Sequence, residues 1–122
     1  MDDTSLISMV LPEGILTYFE ITNFIKSDDG FKIYLAEKNS PPAEFSSDKL
    51  TSKGFFDEIT VQDFPIRNKA SYLHIKRRRW VNERTGDIVY RNWNMVAKGT
   101  RMTQEFASFL KAIARYQASK RQ

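Results

Sequence analysis

The chain has 122 residues, no cysteine, one histidine and a formal net charge of +4. This length fits one domain spanning residues 1–122. The absence of cysteine excludes a disulfide framework, a thiolate zinc site and a cysteine nucleophile. A single histidine argues against an imidazole metal cluster, so we expect no metal and no cofactor. The first residues carry acids where a signal peptide needs bases, and no apolar run approaches the roughly 18 residues of a membrane span. We therefore expect a soluble, cytoplasmic protein without a membrane partner.

The charge is unevenly divided along the chain. Residues 1–63 hold 5 Lys/Arg and 12 Asp/Glu, a net charge of −7. Residues 64–122 hold 14 Lys/Arg and 3 Asp/Glu, a net charge of +11. Such an asymmetry points to a polyanionic partner for the basic half.

The acidic half predicts a short helical element followed by strands. Polar residues 2–5 offer N-caps to an apolar stretch that Pro12 and Gly14 interrupt, which predicts one or two helical turns. Residues 18–39 alternate partly at period two around "SDDG", which predicts a hairpin in which Gly30 has a positive φ. Residues 39–56 are rich in Ser, Pro and Lys and indicate a connecting loop, and residues 57–66 return to a strand pattern.

The basic half predicts a second hairpin between residues 70 and 93, because "ERTGD" places Gly86 where a three-residue loop needs a left-handed residue. A loop of residues 84–86 sets a definite register. In that register Val81 faces Val89, Trp80 faces Tyr90, Arg79 faces Arg91 and Arg77 faces Trp93. The Arg79–Arg91 pair would cost stability unless an anion lay between the two guanidinium groups.

The last segment predicts an amphipathic helix that begins with Thr103 as N-cap and ends in a frayed tail, residues 118–122. Its apolar positions share one helical face. They are Phe106, Phe109, Leu110, Ile113 and Tyr116. We therefore expect an α+β domain with a small antiparallel sheet built from two hairpins, a short N-terminal helical element and a C-terminal amphipathic helix.

The densest chemistry is the run Lys76–Arg79, which Trp80 follows inside a strand pattern. Arginine and lysine neutralise phosphates and a neighbouring aromatic ring stacks on bases, which indicates a nucleic-acid surface. Cationic side chains also protect open sheet edges, so edge protection is the alternative. Alternation puts Arg77 on the face of Ile75, so we expect a bulge or a projecting strand that leaves the guanidinium groups outside.

The further cations of the basic half favour the nucleic-acid interpretation, since edge protection does not need them. We expect DNA contacts from Arg67, Lys69, Lys76, Arg77, Arg78, Arg79, Trp80, Arg84, Arg91, Lys98, Arg101, Lys111 and Arg115. For Trp80 and Trp93, a half-buried place in a small sheet is the alternative. His74 fits a packed or surface position. No group of residues in the sequence points to a general acid–base pair, so we expect no catalytic residue and no enzyme.

The order of several short motifs resembles the N-terminal region of bacterial insertion-sequence transposases, related to the zinc-ribbon-bearing DDE transposases. That order is a "V-x-D-x-P" strand, an arginine-rich "RRR-aromatic" element, a hairpin, and "T-R-x-T" before a helix. The matching residues here are Val61, Asp63 and Pro65, then Arg77, Arg78, Arg79 and Trp80, then Thr100, Arg101 and Thr103. The cysteine pair of the zinc-bearing relatives is absent, so the resemblance implies no zinc here.

The resemblance implies that this chain binds double-stranded DNA at transposon ends. In that family a separate RNase-H-like domain with three metal-binding acids performs strand transfer. We therefore expect a split element with a separate catalytic transposase subunit, or a remnant that has lost it. Two alternatives stay open: a protein-interaction module whose basic face meets an acidic protein, and an RNA-binding β-face that uses Trp80, Trp93 and Tyr90.

Overall fold

A computed structural model of the chain describes residue 11 and residues 14–66, 68–93, 96 and 104–120. For residues 63, 64, 66, 104–106 and 116–120 it describes the backbone alone. The expectations for the first ten residues, for Arg67, Lys98 and Arg101, and for the cap at Thr103 lie outside the described residues.

The fold is α+β, as the sequence predicts, with a short helix near the N-terminus, two sheets of mostly antiparallel strands and a C-terminal helix. The elements in chain order are α1 (Ile15–Tyr18), β1 (Phe19–Ser27), β2 (Gly30–Glu37), a 3-10 turn (Ala43–Phe45), β3 (Leu50–Phe55), β4 (Ile59–Ile66), β5 (Lys69–Lys76), β6 (Arg78–Asn82), β7 (Ile88–Val89) and α2 (Gln104–Lys120). Helix α2 extends into the segment 118–122 for which fraying is expected.

The first sheet has the strand order β1-β2-β5-β4. The predicted first hairpin is confirmed, because Ser27 pairs with Gly30 across a two-residue loop and Gly30 has φ +144°. β4 and β5 form another antiparallel pair, whereas β2 and β5 are parallel. That parallel pair joins the acidic half to the basic half through the middle of one sheet.

The second sheet has the order β3-β6-β7 and overturns one expectation. Residues 39–56 are not a plain loop, because they contain the 3-10 turn and the strand β3. The sequence of β3, "LTSKGF", carries no apolar alternation, and none of its side chains is fully buried. The pairing of β3 with β6 sets its conformation instead.

The strand that carries the arginine run passes from the first sheet to the second at Arg77. Up to this point the odd-numbered residues Leu73 and Ile75 are buried, and beyond it the even-numbered Trp80 and Asn82 are buried. Of the two alternatives that the sequence left open, the structure therefore shows a change of facing. It occurs where the chain changes sheets, at the one residue between β5 and β6.

The predicted register of the β6–β7 hairpin is wrong by one residue. Trp80 pairs with Val89 and Val81 with Ile88, so the loop has four residues rather than three. The backbone carbonyl of Asn82 accepts hydrogen bonds from the amides of Thr85 (3.2 Å) and Gly86 (2.7 Å). The Asn82 side chain also accepts the Arg84 amide at 2.9 Å, so this asparagine stabilises the longer loop.

The core lies between the first sheet and helix α2. It contains the inward residues of β2, β4 and β5, together with Ile15 and Phe19. Phe109, Leu110 and Ile113 of α2 are buried in it, which confirms the predicted apolar face at these positions. None of the helices in the described part of the chain combines the length and the apolar character needed to cross a membrane.

Candidate nucleic-acid interface

Arg78 joins the two sheets instead of pointing freely into solvent. Its backbone amide donates to Glu37 Oε1 at 3.0 Å and its Nε donates to the Glu37 carbonyl at 3.1 Å. Its Nη1 donates to the hydroxyl of Ser52 on β3. The guanidinium carbon also lies 4.6 Å from the ring centre of Phe55. These contacts bind the end of β2 to β3 and β6.

Arg91 is buried, and its contacts contradict the expected Arg79–Arg91 pair. Its Nε forms a salt bridge of 2.9 Å with Glu37 Oε2, and its Nη2 donates to the Ser40 carbonyl. The guanidinium also lies over the rings of Tyr18 and Trp93. Arg91 is therefore correctly assigned to the basic half, but in this structure it is a packed residue and not a surface contact for DNA.

Glu37 is the acid around which these arginines are arranged. Its side chain is 1% exposed, and burial raises the pKa of its carboxyl above the ordinary value. Hydrogen bonds from Arg91 and from the Arg78 amide oppose that rise in pKa. Sequence reasoning missed Glu37 because its partner Arg91 is 54 positions away; the signal was an acid ending an apolar strand.

Arg77 and Arg79 pack on one aromatic ring. Their guanidinium carbons lie 5.4 Å and 5.6 Å from the ring centre of Phe56. Among the described residues, neither Nε atom has a hydrogen-bond partner. Arg77 is only 4% exposed, and burial lowers the pKa of its guanidinium, against the effect of Glu37. The expectation that all three guanidinium groups lie outside is thus wrong for Arg77.

The two tryptophans are buried, so the structure supports the place in a sheet that the sequence analysis weighed for them. Their burial argues against Trp80 as a DNA contact and against the alternative of an RNA-binding face that uses both. Trp80 is 0% exposed and its Nε1 donates to Asn39 Oδ1 at 2.9 Å. Trp93 is 1% exposed and stacks on Phe19 with 5.3 Å between ring centres. Tyr90, the third aromatic of that expected face, is 43% exposed.

The other expected contact residues that the structure describes are spread over several surfaces. Lys76 is exposed at the end of β5, and Lys69 is half-buried at its start. Lys111 and Arg115 are exposed on α2. Arg84 is 69% exposed in the β6–β7 loop, where it pairs with Asp48 at 2.8 Å. Hydrogen bonds from Arg84 and Asn82 lower the pKa of Asp48 to about 2.

One surface combines cations with exposed apolar rings and side chains. It is the side of the second sheet opposite the buried Trp80, and we call its residues Lys53, Phe56, Arg79, Ile88 and Tyr90 the basic–aromatic face. Arg79 Nη2 donates to the Lys53 carbonyl at 3.2 Å, and Tyr90 meets Phe56 edge-on at 5.2 Å. Ile88 and Tyr90 are 45% and 43% exposed. Phe55 and Phe56 were missed because "GFF" fell in the segment interpreted as a loop.

His74 packs on the outer side of the first sheet. Its ring stacks on Tyr34 at 4.6 Å, and its Nδ1 lies 3.2 Å from Thr60 Oγ1 and 3.5 Å from Glu58 Oε2. Within the described ranges, no group of three His, Cys, Asp or Glu side chains is placed to hold a metal ion.

No family model, curated protein or solved structure matches the chain.

Proposed function

We propose that this chain is the non-catalytic DNA-binding part of a split insertion-sequence transposase and that it binds double-stranded transposon ends in the cytoplasm. The observation that carries the proposal is the charge of +11 on residues 64–122, against −7 on residues 1–63. The motif order from the "V-x-D-x-P" strand to "T-R-x-T" supports the same assignment.

The residues that we propose for phosphate binding are not those of the arginine run. Arg78 and Arg91 hold the two sheets together through hydrogen bonds, and Arg77 is buried against Phe56, so none of these three guanidinium groups is open at the surface. We therefore assign phosphate binding to exposed cations of the basic half, namely Lys76 and Lys111, whereas Arg84, although exposed, already pairs with Asp48. Lysine and arginine that neutralise phosphates displace counterions, and this makes affinity fall with salt.

The first test is the salt dependence of binding to a duplex that carries a transposon end. If about five phosphates are contacted, log affinity against log salt concentration should have a slope of about −4 to −5. Fluorescence anisotropy of a labelled duplex, titrated at several salt concentrations, measures this slope. A flat dependence, or no binding at low salt, would contradict the proposal.

A matched pair of double variants locates the contact. Lys76→Gln with Lys111→Gln removes two exposed cations of the basic half, and Lys26→Gln with Lys49→Gln removes two exposed cations of the acidic half. We expect the first pair to reduce the steepness of the slope by about 0.9 for each lost contact and the second pair to leave it unchanged. Equal effects of both pairs would contradict a contact through the basic half.

The competing assignment is a module that binds an acidic protein. Polyglutamate of the same charge as the duplex separates the two, because it supplies negative charge without phosphodiester geometry. Stronger binding of polyglutamate than of duplex DNA would favour the protein-interaction assignment.

A further inference from the structure

The basic–aromatic face exposes apolar side chains that are not part of the folded core. Ile88 and Tyr90 are two of the three large apolar side chains that are strongly exposed in the described part of the chain. Val81 pairs with Ile88 across the sheet, and the register then places Arg79 beside Tyr90. Tyr90 and Arg79 both contact Phe56, so aromatic and cationic groups are fixed side by side.

The position of Arg79 suits an anion. Its guanidinium packs on the Phe56 ring, which holds the side chain without neutralising its charge. Its one described hydrogen bond goes to a neutral carbonyl, that of Lys53. Arg77 also packs on the Phe56 ring and is 4% exposed, so it adds a further positive charge beneath the surface. A phosphate next to Arg79 and Lys53 would therefore meet positive charge from both the surface and the interior.

The exposed ring of Tyr90 is placed where a nucleobase can stack on it. Nucleobases stack on exposed aromatic side chains, and neighbouring cations bind the phosphates of the same strand. The bases of a duplex already stack on one another, so their faces are covered. An unpaired base has a free face.

We infer that the basic–aromatic face binds single-stranded nucleic acid, with an unpaired base stacked on Tyr90 and the adjacent phosphate bound by Arg79 and Lys53. This goes beyond duplex binding through the exposed lysines, which does not require Tyr90. The shared ligand chemistry is a nucleobase next to a phosphodiester, which DNA and RNA both supply.

The test compares Tyr90→Leu with Tyr90→Phe. Leucine keeps an apolar side chain against Phe56 but has no aromatic face, whereas phenylalanine keeps the ring and lacks the hydroxyl. Affinity for oligothymidylate and for oligouridylate of equal length is measured by anisotropy at low salt, alongside the duplex. Thermal unfolding of each variant shows that it is folded.

We expect Tyr90→Leu to weaken single-strand affinity by about 5- to 150-fold. Tyr90→Phe should bind the single strands as the natural chain does, and both variants should bind the duplex unchanged. The two oligonucleotide arms show whether DNA or RNA is preferred. Ile25→Thr on the first sheet is the control for changes to an exposed apolar side chain, because Ile25 is 42% exposed but lies outside the face, and it should leave single-strand binding unchanged.

The inference is overturned if single strands do not bind at low salt, or if Tyr90→Leu and Tyr90→Phe bind them equally. It is also overturned if polyglutamate displaces the oligonucleotide as well as an unlabelled strand does. Single-strand binding without duplex binding would contradict the proposed function and leave this inference standing. Duplex binding, together with single-strand binding that does not change in Tyr90→Leu, would support the proposed function and contradict this inference.

Discussion

At the scale of single residues, we expect the buried ion pair between Glu37 and Arg91 to affect the stability of the fold more than any surface arginine does. Both side chains are at least nine-tenths buried and their charged atoms are 2.9 Å apart. Removing two charges from water costs several kcal/mol for each ion, and the pair offsets this cost only while both partners remain. The pair is therefore a point at which a single substitution leaves an uncompensated buried charge.

We predict that Arg91→Met lowers the free energy of unfolding by about 3–5 kcal/mol, because it leaves the Glu37 carboxylate buried without its salt bridge. Glu37→Gln in the same chain should recover part of this loss, since glutamine is neutral and can still accept the Arg78 amide. Urea denaturation of the two single variants and the double variant measures the coupling between the residues.

Lys111→Met is the control for this cycle, because it removes an exposed cation of α2 and should change stability by less than about 0.5 kcal/mol. If Arg91→Met were as stable as the natural chain but bound DNA more weakly, Arg91 would be a ligand contact and the assignment as a packed residue would be wrong.

At the scale of elements, Gly30 allows strand β2 of the first hairpin to approach β5 closely. It begins β2 with φ +144°, and a Cβ atom there would clash with the Ala70 carbonyl oxygen. β2 and β5 pair in parallel from this residue onward. Gly86 in the β6–β7 loop also has a positive φ, +79°, but a Cβ there would meet nothing within 4 Å.

We predict that Gly30→Ala destabilises the fold more than Gly86→Ala does. The change at Gly86 should cost about 1–2 kcal/mol, which is the cost of the left-handed backbone for a residue with a Cβ. The change at Gly30 should add about 1–3 kcal/mol, because the Ala70 backbone must move. Thermal unfolding of both variants compares the two costs, and equal losses would mean that β2 and β5 separate easily.

The elements that the sequence predicts well are those with local patterns. The turn at "SDDG", the alternation of 57–66 and the helical face of Phe109, Leu110 and Ile113 all depend on neighbours in the chain, and the structure has them. β3 was not predicted, because its conformation depends on pairing with β6 rather than on its own side chains. The hairpin register failed since the Asn82 side chain and carbonyl favour a four-residue loop.

The candidate site was less predictable than the fold for the same reason. Positive charge in the second half can be counted from the sequence, but the burial of Arg77 and Arg91 depends on Phe56 and Glu37, which are distant in the chain. A sequence pattern gives the charge of an arginine and not its partner. Tyr90 was expected to be part of an aromatic face, yet its neighbours there are Arg79 and Phe56 rather than the two tryptophans.

At the scale of the whole molecule, the acidic and basic halves are interlocked rather than separate. The parallel pair β2–β5 crosses from one half to the other, as do the ion pairs Glu37–Arg91 and Asp48–Arg84. Part of the positive charge is therefore neutralised within the fold, and the phosphates that the chain can bind are fewer than a charge of +11 suggests.

The proposed division of labour between two transposase chains makes a prediction for the molecule as a unit. In the family that the sequence resembles, a separate domain with three metal-binding acids performs strand transfer, and the role proposed for this chain is to hold the DNA. We predict that the pure protein does not nick or join a transposon-end duplex with Mg²⁺ or Mn²⁺, under conditions in which anisotropy shows that the duplex is bound. Gel analysis of end-labelled strands measures cleavage, and the same reaction with EDTA is the control. Metal-dependent nicking that persists through purification and co-elutes with the protein would show that this chain carries catalytic acids of its own. That result would contradict the proposed separation between DNA binding and catalysis.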